Sequence, residues 1–81
     1  MRIDVRLGSG LARLAGASRV RLEVDEGATV DDVLEALADD RPAVASWLTS
    51  ALTVVGGSQV GGERVLGEGE EVAVLAPVGR L

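Results

Sequence analysis

Eighty-one residues make one small domain, near the lower limit of what a single hydrophobic core can hold together. An apolar content of 47% supplies that core, but Trp47 is the only aromatic residue, so the packing is expected to be aliphatic. A net charge of −5 argues against a nucleic-acid partner, while the absence of Cys and His removes disulfides, thiolate chemistry, the usual neutral-pH base and the commonest metal ligand.

Met1 to Leu7 alternates, with Ile3, Val5 and Leu7 facing one way and Arg2, Asp4 and Arg6 the other, which predicts a half-buried strand. Gly8-Ser9-Gly10 breaks the pattern, and Leu11 to Ala15 suits a short helical turn ending at Gly16. Arg19 to Val24 alternates again, with Val20, Leu22 and Val24 inward. Antiparallel pairing of the two strands sets Arg2 opposite Glu23, Asp4 opposite Arg21 and Arg6 opposite Arg19, two attractive pairs against one repulsive pair. Five of the eight arginines precede residue 22, making this hairpin the basic side of an acidic chain. A solvated strand face explains that concentration more simply than an anion site. No basic residue is a lysine, so no side-chain amine is present to accept an isopeptide bond.

Asp25-Glu26-Gly27-Ala28 reads as a turn. Thr29 is a good N-cap, with Asp31 and Asp32 at the favoured end of the helix dipole. Val30, Val33, Leu34, Leu37 and Ala38 then form one apolar helix face, which Arg41 and Pro42 close. Pro42 suits the first position of a shorter helical segment carrying Val44, Trp47, Leu48 and Ala51 on one face, with Trp47 capping the core edge. Leu52 to Val55 is a third strand, Gly56-Gly57 a tight turn and Ser58-Gln59-Val60 its return. Gly61-Gly62 turns the chain into Glu63-Arg64-Val65-Leu66. The run GGSQVGGER has neither the spacing nor the Lys-Ser/Thr of a phosphate-binding loop, so its glycines are assigned to hairpin turns. Gly67-Glu68-Gly69-Glu70 makes the last turn.

The chain closes on Glu71 to Leu81, EVAVLAPVGRL. The unbroken apolar run Val72 to Ala76 predicts a strand covered on both faces. Pro77 removes a backbone donor and ends the ladder, leaving Val78-Gly79-Arg80-Leu81 as a short tail. A long crossover lets the first and last strands lie parallel at the sheet centre. The expected architecture is α+β, a mixed sheet on one main helix, which is the ubiquitin-like β-grasp arrangement over residues 1–81.

Three stretches resemble the small sulfur-carrier proteins of molybdopterin and thiamine biosynthesis, the MoaD/ThiS-like family. VDEGATVDDVLEAL, Val24 to Leu37, is similar to that family's strand–turn–helix signature. GEGEEVAVLAPV, Gly67 to Val78, is similar to its closing turn, strand and exit, and GLARLAG, Gly10 to Gly16, to the segment after its first strand. The resemblance implies a carrier and not an enzyme. Its C-terminal carboxylate would be adenylated by an E1-like activating enzyme at the expense of ATP, converted to a thiocarboxylate, and used to deliver sulfur to a biosynthetic synthase. No bound cofactor is implied. Pro77 and Val78 would form the tail exit, and Gly79, Arg80 and Leu81 the carrier tail.

The family ends in Gly-Gly, because only residues without side chains let the backbone thread a narrow channel. Aligned on Pro77-Val78, those positions here are Arg80 and Leu81. Three readings stay open: a family member that binds without carrying sulfur, a precursor trimmed by a protease to Gly79, or a carrier whose partner accepts an Arg-Leu end. A free-standing enzyme fits poorly, since Asp31/Asp32, Asp39/Asp40 and Glu70/Glu71 are sequence neighbours that do not converge as an acid/base pair. No apolar run reaches membrane-spanning length and no secretory signal opens the chain, so a cytoplasmic protein without a membrane partner is expected.

Overall fold

The computed structural model describes residues 1–76 of the chain. Its first hairpin follows from alternation. Strands β1 (Arg2–Leu7) and β2 (Arg19–Glu23) pair antiparallel, with Arg2 opposite Glu23, Asp4 opposite Arg21 and Arg6 opposite Arg19. Ile3, Val5, Leu7, Val20 and Leu22 are buried, and the intervening charged residues form the other face. Helix α1 (Ser9–Ala15) fills the connection. It starts at Ser9, two residues before the expected turn, because Gly8 stays extended and its carbonyl accepts the Ala12 N–H at 2.7 Å. Gly16, at φ 78°, ends it in the left-handed region that glycine enters without steric cost.

Helix α2 (Val30–Asp40) begins with a capping box: the Thr29 hydroxyl accepts the Asp32 N–H at 3.3 Å, and the Asp32 carboxylate accepts the Thr29 N–H at 2.9 Å. Two further N–H groups of the first turn are satisfied from a distance. Val30 donates to the Arg64 carbonyl at 3.0 Å and Asp31 to the Gly62 carbonyl at 2.9 Å. Val30, Val33 and Leu37 are fully buried. Arg41 turns extended before Pro42, as a residue preceding proline must. The next segment, Pro42–Ser50, is a 3₁₀ helix of nine residues, well beyond the usual three or four. It sends Val44 and Leu48 into the core, with Trp47 half-buried against it.

Strand β3 (Leu52–Val55) returns through Gly56 and Gly57 to β4 (Ser58–Gln59). Both glycines have positive φ, 60° and 82°, as a two-residue turn of this hand requires. Strand β5 (Glu71–Leu75) then enters the sheet, whose order is β2-β1-β5-β3-β4. It runs parallel to β1, with Asp4 opposite Glu71 and Leu7 opposite Val74, and antiparallel to β3. The first and last strands are thus the two inner neighbours of a mixed sheet, and the inward side chains of β1, β2 and β5 join Val33, Leu37, Val44 and Leu48 in one aliphatic core.

One expectation is corrected. Strand β5 is central, yet only one of its faces is covered: Val72 and Val74 are fully buried, Ala73 is half-buried and Leu75 is exposed. An apolar run signals two covered faces only where the chain has a second layer to lay over the sheet. Here the helical segments all pack on the same side.

Candidate functional site

The place of interest is where β5 leaves the sheet. The Gly8 N–H donates to the Val74 carbonyl at 3.0 Å, so the β1–α1 corner holds the end of β5. A Cβ on Gly8 would sit 3.1 Å from a methyl of Leu75, tighter than ordinary packing, which lets glycine bring the two segments together. Ala76, the last residue described, still packs against the core.

The outer face of the sheet beside this exit divides in two. On β5 and β3, Leu75 stands opposite Leu52 and Ala73 opposite Val54. Leu52 and Leu75 are 39% and 37% exposed, so a continuous aliphatic strip runs to the exit uncovered. On β1 and β2 the same face is charged. Arg21 donates to Asp4 at 2.9 Å and Arg2 lies 3.5 Å from Glu23. The one repulsive pair of the hairpin, Arg6 and Arg19, is reconciled by Glu71 of the adjacent strand, whose two carboxylate oxygens lie 3.9 Å and 3.7 Å from the two guanidinium groups.

The other end of β5 is clamped. Arg64 donates to both carboxylate oxygens of Glu70, at 3.1 and 3.2 Å, and the Gly67 N–H adds a third bond at 2.8 Å. The Arg64 hydrogen bonds, then the Gly67 amide, hold the Glu70 carboxyl below its ordinary range, and the same bonds raise Arg64 above its own. The Gly67–Glu70 turn is tied to β1 as well, by the Gly69 N–H donating to the Arg2 carbonyl at 3.1 Å. The register of β5, and with it the position of its exit, is set from both ends.

The predicted site residues Pro77, Val78, Gly79, Arg80 and Leu81 lie outside the described residues. A sheet-face apolar patch is what a non-carrier binding module predicts, but none of the strip's residues is among the predicted site residues. Its signal lay in Leu52, Val54, Ala73 and Leu75, outward positions on two adjacent strands of a chain too short to build a second layer. The acidic pairs divide their work. Asp32 caps α2, Asp40 pairs with Arg41 at 3.0 Å, Glu70 holds Arg64, and Glu71 bridges Arg6 and Arg19. Among the described residues no three acidic side chains gather as a metal site. The glycine-rich run directs carbonyls of Gly62 and Arg64, not amides, at the start of α2, the wrong polarity for a phosphate.

A sequence model of the ThiS family matches residues 5–79. The chain belongs to the ThiS family. The structure of this ThiS-family chain is similar to SAMP1 from Haloferax volcanii, at 29% identity and a TM-score of 0.91 over 98% of each chain. It is similar to a putative molybdopterin converting factor, subunit 1, from Pyrococcus furiosus, at 23% identity and 0.87, over 96% of this chain and 99% of that one. It also shares its fold with a chain of the complex of subunits 1 and 2 of molybdopterin-converting factor from Helicobacter pylori, at 14% identity and 0.71, over 96% of each. No curated protein matches the chain. The family match and these likenesses agree on a ThiS-family chain with the ubiquitin-like β-grasp fold. Among the described residues no helix is long and apolar enough to cross a membrane.

Proposed function

We propose that this ThiS-family chain is a cytoplasmic sulfur carrier, a substrate of partner enzymes and not itself an enzyme. Its C-terminal carboxylate, at Leu81 or at Gly79 after a protease removes Arg80-Leu81, attacks the α-phosphorus of ATP on an E1-like activating enzyme and releases pyrophosphate. A sulfur donor then displaces AMP, and the thiocarboxylate passes its sulfur to a synthase of molybdopterin, thiamine or another sulfur-containing metabolite. Pro77 and Val78 form the exit, and Gly79, Arg80 and Leu81 the tail.

One observation carries this reading: the ThiS family match runs over residues 5–79, and the central strand β5 of that match ends beside an uncovered aliphatic strip, Leu52, Val54, Ala73 and Leu75. A partner docked on that strip stands where the chain end emerges. The Helicobacter pylori likeness, a subunit 1 in complex with a subunit 2, supports a synthase as one such partner.

The end Arg80-Leu81 in place of diglycine favours a second reading, a ubiquitin-like binding module that uses the strip and carries nothing. Intact mass after incubation with the cognate activating enzyme, ATP and a sulfur source separates the two. Sulfur in place of one oxygen, with or without loss of Arg80-Leu81, is the carrier result. An unchanged full-length mass contradicts it and leaves the binding module.

A further inference from the structure

Of the sheet's two edges, β4 has two residues and β2 has five, so β2 is the edge long enough to pair with another strand. The phase of its hydrogen bonds decides what that edge offers. The Val24 N–H donates to the Met1 carbonyl at 2.8 Å, and the Leu7 N–H to the Ser18 carbonyl at 2.9 Å. Opposed residues of an antiparallel pair alternate between bonded and unbonded. In this register Ser18, Val20, Leu22 and Val24 bond to β1, and the N–H and carbonyl groups of Arg19, Arg21 and Glu23 point outward. Among the described residues no strand or bridge pairs with them.

The space beside this edge is acidic. A groove of about 380 Å³ between β2 and α2 is lined by the small side chains of Ala28 and Ala36 and the carboxylates of Glu23, Asp25, Glu35 and Asp39. Asp25, Glu35 and Asp39 are exposed, and among the described residues none has a cation within 4.0 Å. On the outer face, by contrast, Arg19 and Arg21 already have Glu71 and Asp4. The unbalanced charge therefore lies on the helix side of the edge. Side chains of a strand alternate between faces, and Val20 and Leu22 of β2 are buried on that helix side. A strand added alongside β2 places every second side chain on the same side, next to the groove.

We propose that the free edge of β2 accepts an extended segment of a partner protein as a sixth strand, with Lys or Arg at the alternate positions that face the groove. Backbone bonds to Arg19, Arg21 and Glu23 hold the segment, and Asp25, Glu35 and Asp39 select its charge. A second copy of this chain is a poor occupant, because its own β2 brings the same acidic groove to the joint. The proposal does not rest on the carrier reading. In the sheet β1 and β5 separate β2 from β3, so this partner is distinct from the one on the aliphatic strip.

The experiment titrates the isotope-labelled full chain at low salt with a blocked heptapeptide alternating Thr and Lys, and separately with one alternating Thr and Glu. The Thr/Lys peptide is expected to give saturable amide shifts at Arg19, Arg21 and Glu23, half-maximal below ~1 mM. At tenfold that concentration, hydrogen exchange of those amides should slow about 10-fold, as bound edge donors become protected. The Thr/Glu peptide should move none of them. No saturable shift, equal binding of the two peptides, or shifts at the acidic residues without slowed exchange overturns the proposal. Arg21→Pro deletes an N–H that bonds nothing within the hairpin and should abolish binding; binding at the original strength overturns the proposal. Glu35→Gln combined with Asp39→Asn changes only exposed helix positions and keeps the test sound should proline disturb the hairpin. This pair should weaken the Thr/Lys peptide about 3- to 10-fold, and unchanged affinity overturns the assignment of the groove.

Discussion

The two halves of the sheet's outer face are built from the same alternation and reach opposite results. On β1 and β2 the outward positions are Arg2, Asp4, Arg6, Arg19, Arg21 and Glu23, each with an oppositely charged neighbour, Glu71 completing the set. On β5 and β3 they are Ala73, Leu75, Leu52 and Val54, whose cross-strand partners are also aliphatic. Exposed ion pairs contribute little stability, typically below about 1 kcal/mol each. Their effect is to leave that half satisfied by its own side chains and by water. The aliphatic half has no polar partners of its own and stays open to solvent, and it is the half from which β5 departs.

The largest effect is expected from breaking the aliphatic half. Leu75→Asp should weaken binding to the proposed activating enzyme by roughly 30-fold, the loss of one central anchor worth about 2 kcal/mol. Calorimetric titration measures it. Because Leu75 is already partly exposed, urea denaturation should show a loss of no more than about 1 kcal/mol, the scale of its cross-strand contact with Leu52. Binding unchanged by this substitution would remove the strip from the interaction.

A smaller effect should follow in the charged half. Glu71→Gln leaves Arg6 and Arg19 facing each other across β1 and β2 without their shared carboxylate, and should cost about 0.5–1 kcal/mol in urea denaturation, more at low salt. Affinity for the activating enzyme should stay within about twofold, since charges at a rim alter rates of encounter more than binding strength. The opposite pattern, stability kept and binding lost, would exchange the roles of the two halves.

The smallest effect concerns the clamp at the start of β5. Glu70 is held below the ordinary 4.5 of its carboxyl. Its folded pKa is therefore lower than its unfolded one, and the unfolded chain takes up the proton more readily as pH falls. The clamp's contribution is complete above about 4.5 and fades as pH drops through the lower folded value. Stability measured against pH should give curves for the unsubstituted chain and Glu70→Gln that converge in acid. Parallel curves would show that the ion pair is not formed in solution.

Much of this arrangement was legible in the residues themselves. The β1–β2 register followed from charge pairing, and α2 from its apolar spacing and Thr29. What stayed hidden depended on segments distant in sequence. Glu71 reconciles Arg6 with Arg19 only because β5 inserts beside β1. Gly62 and Arg64 cap α2 through carbonyls whose direction no side chain reports. Leu75 is exposed because all the helical packing falls on the far face, a property of the layer count and not of the run Val72 to Ala76. The predicted tail, Pro77 to Leu81, lies outside the described residues, and the aliphatic strip beside the end of β5 depended on which face the helices left uncovered.

Amide chemical shifts of the labelled chain, recorded with and without the activating enzyme, test the division of the sheet most directly. Perturbations concentrated on Leu52, Val54, Ala73, Leu75 and the residues after them, with Arg19, Arg21 and Glu23 unmoved, are the predicted result. Perturbations centred on β1 and β2 or on α2, with the aliphatic strip silent, would contradict it.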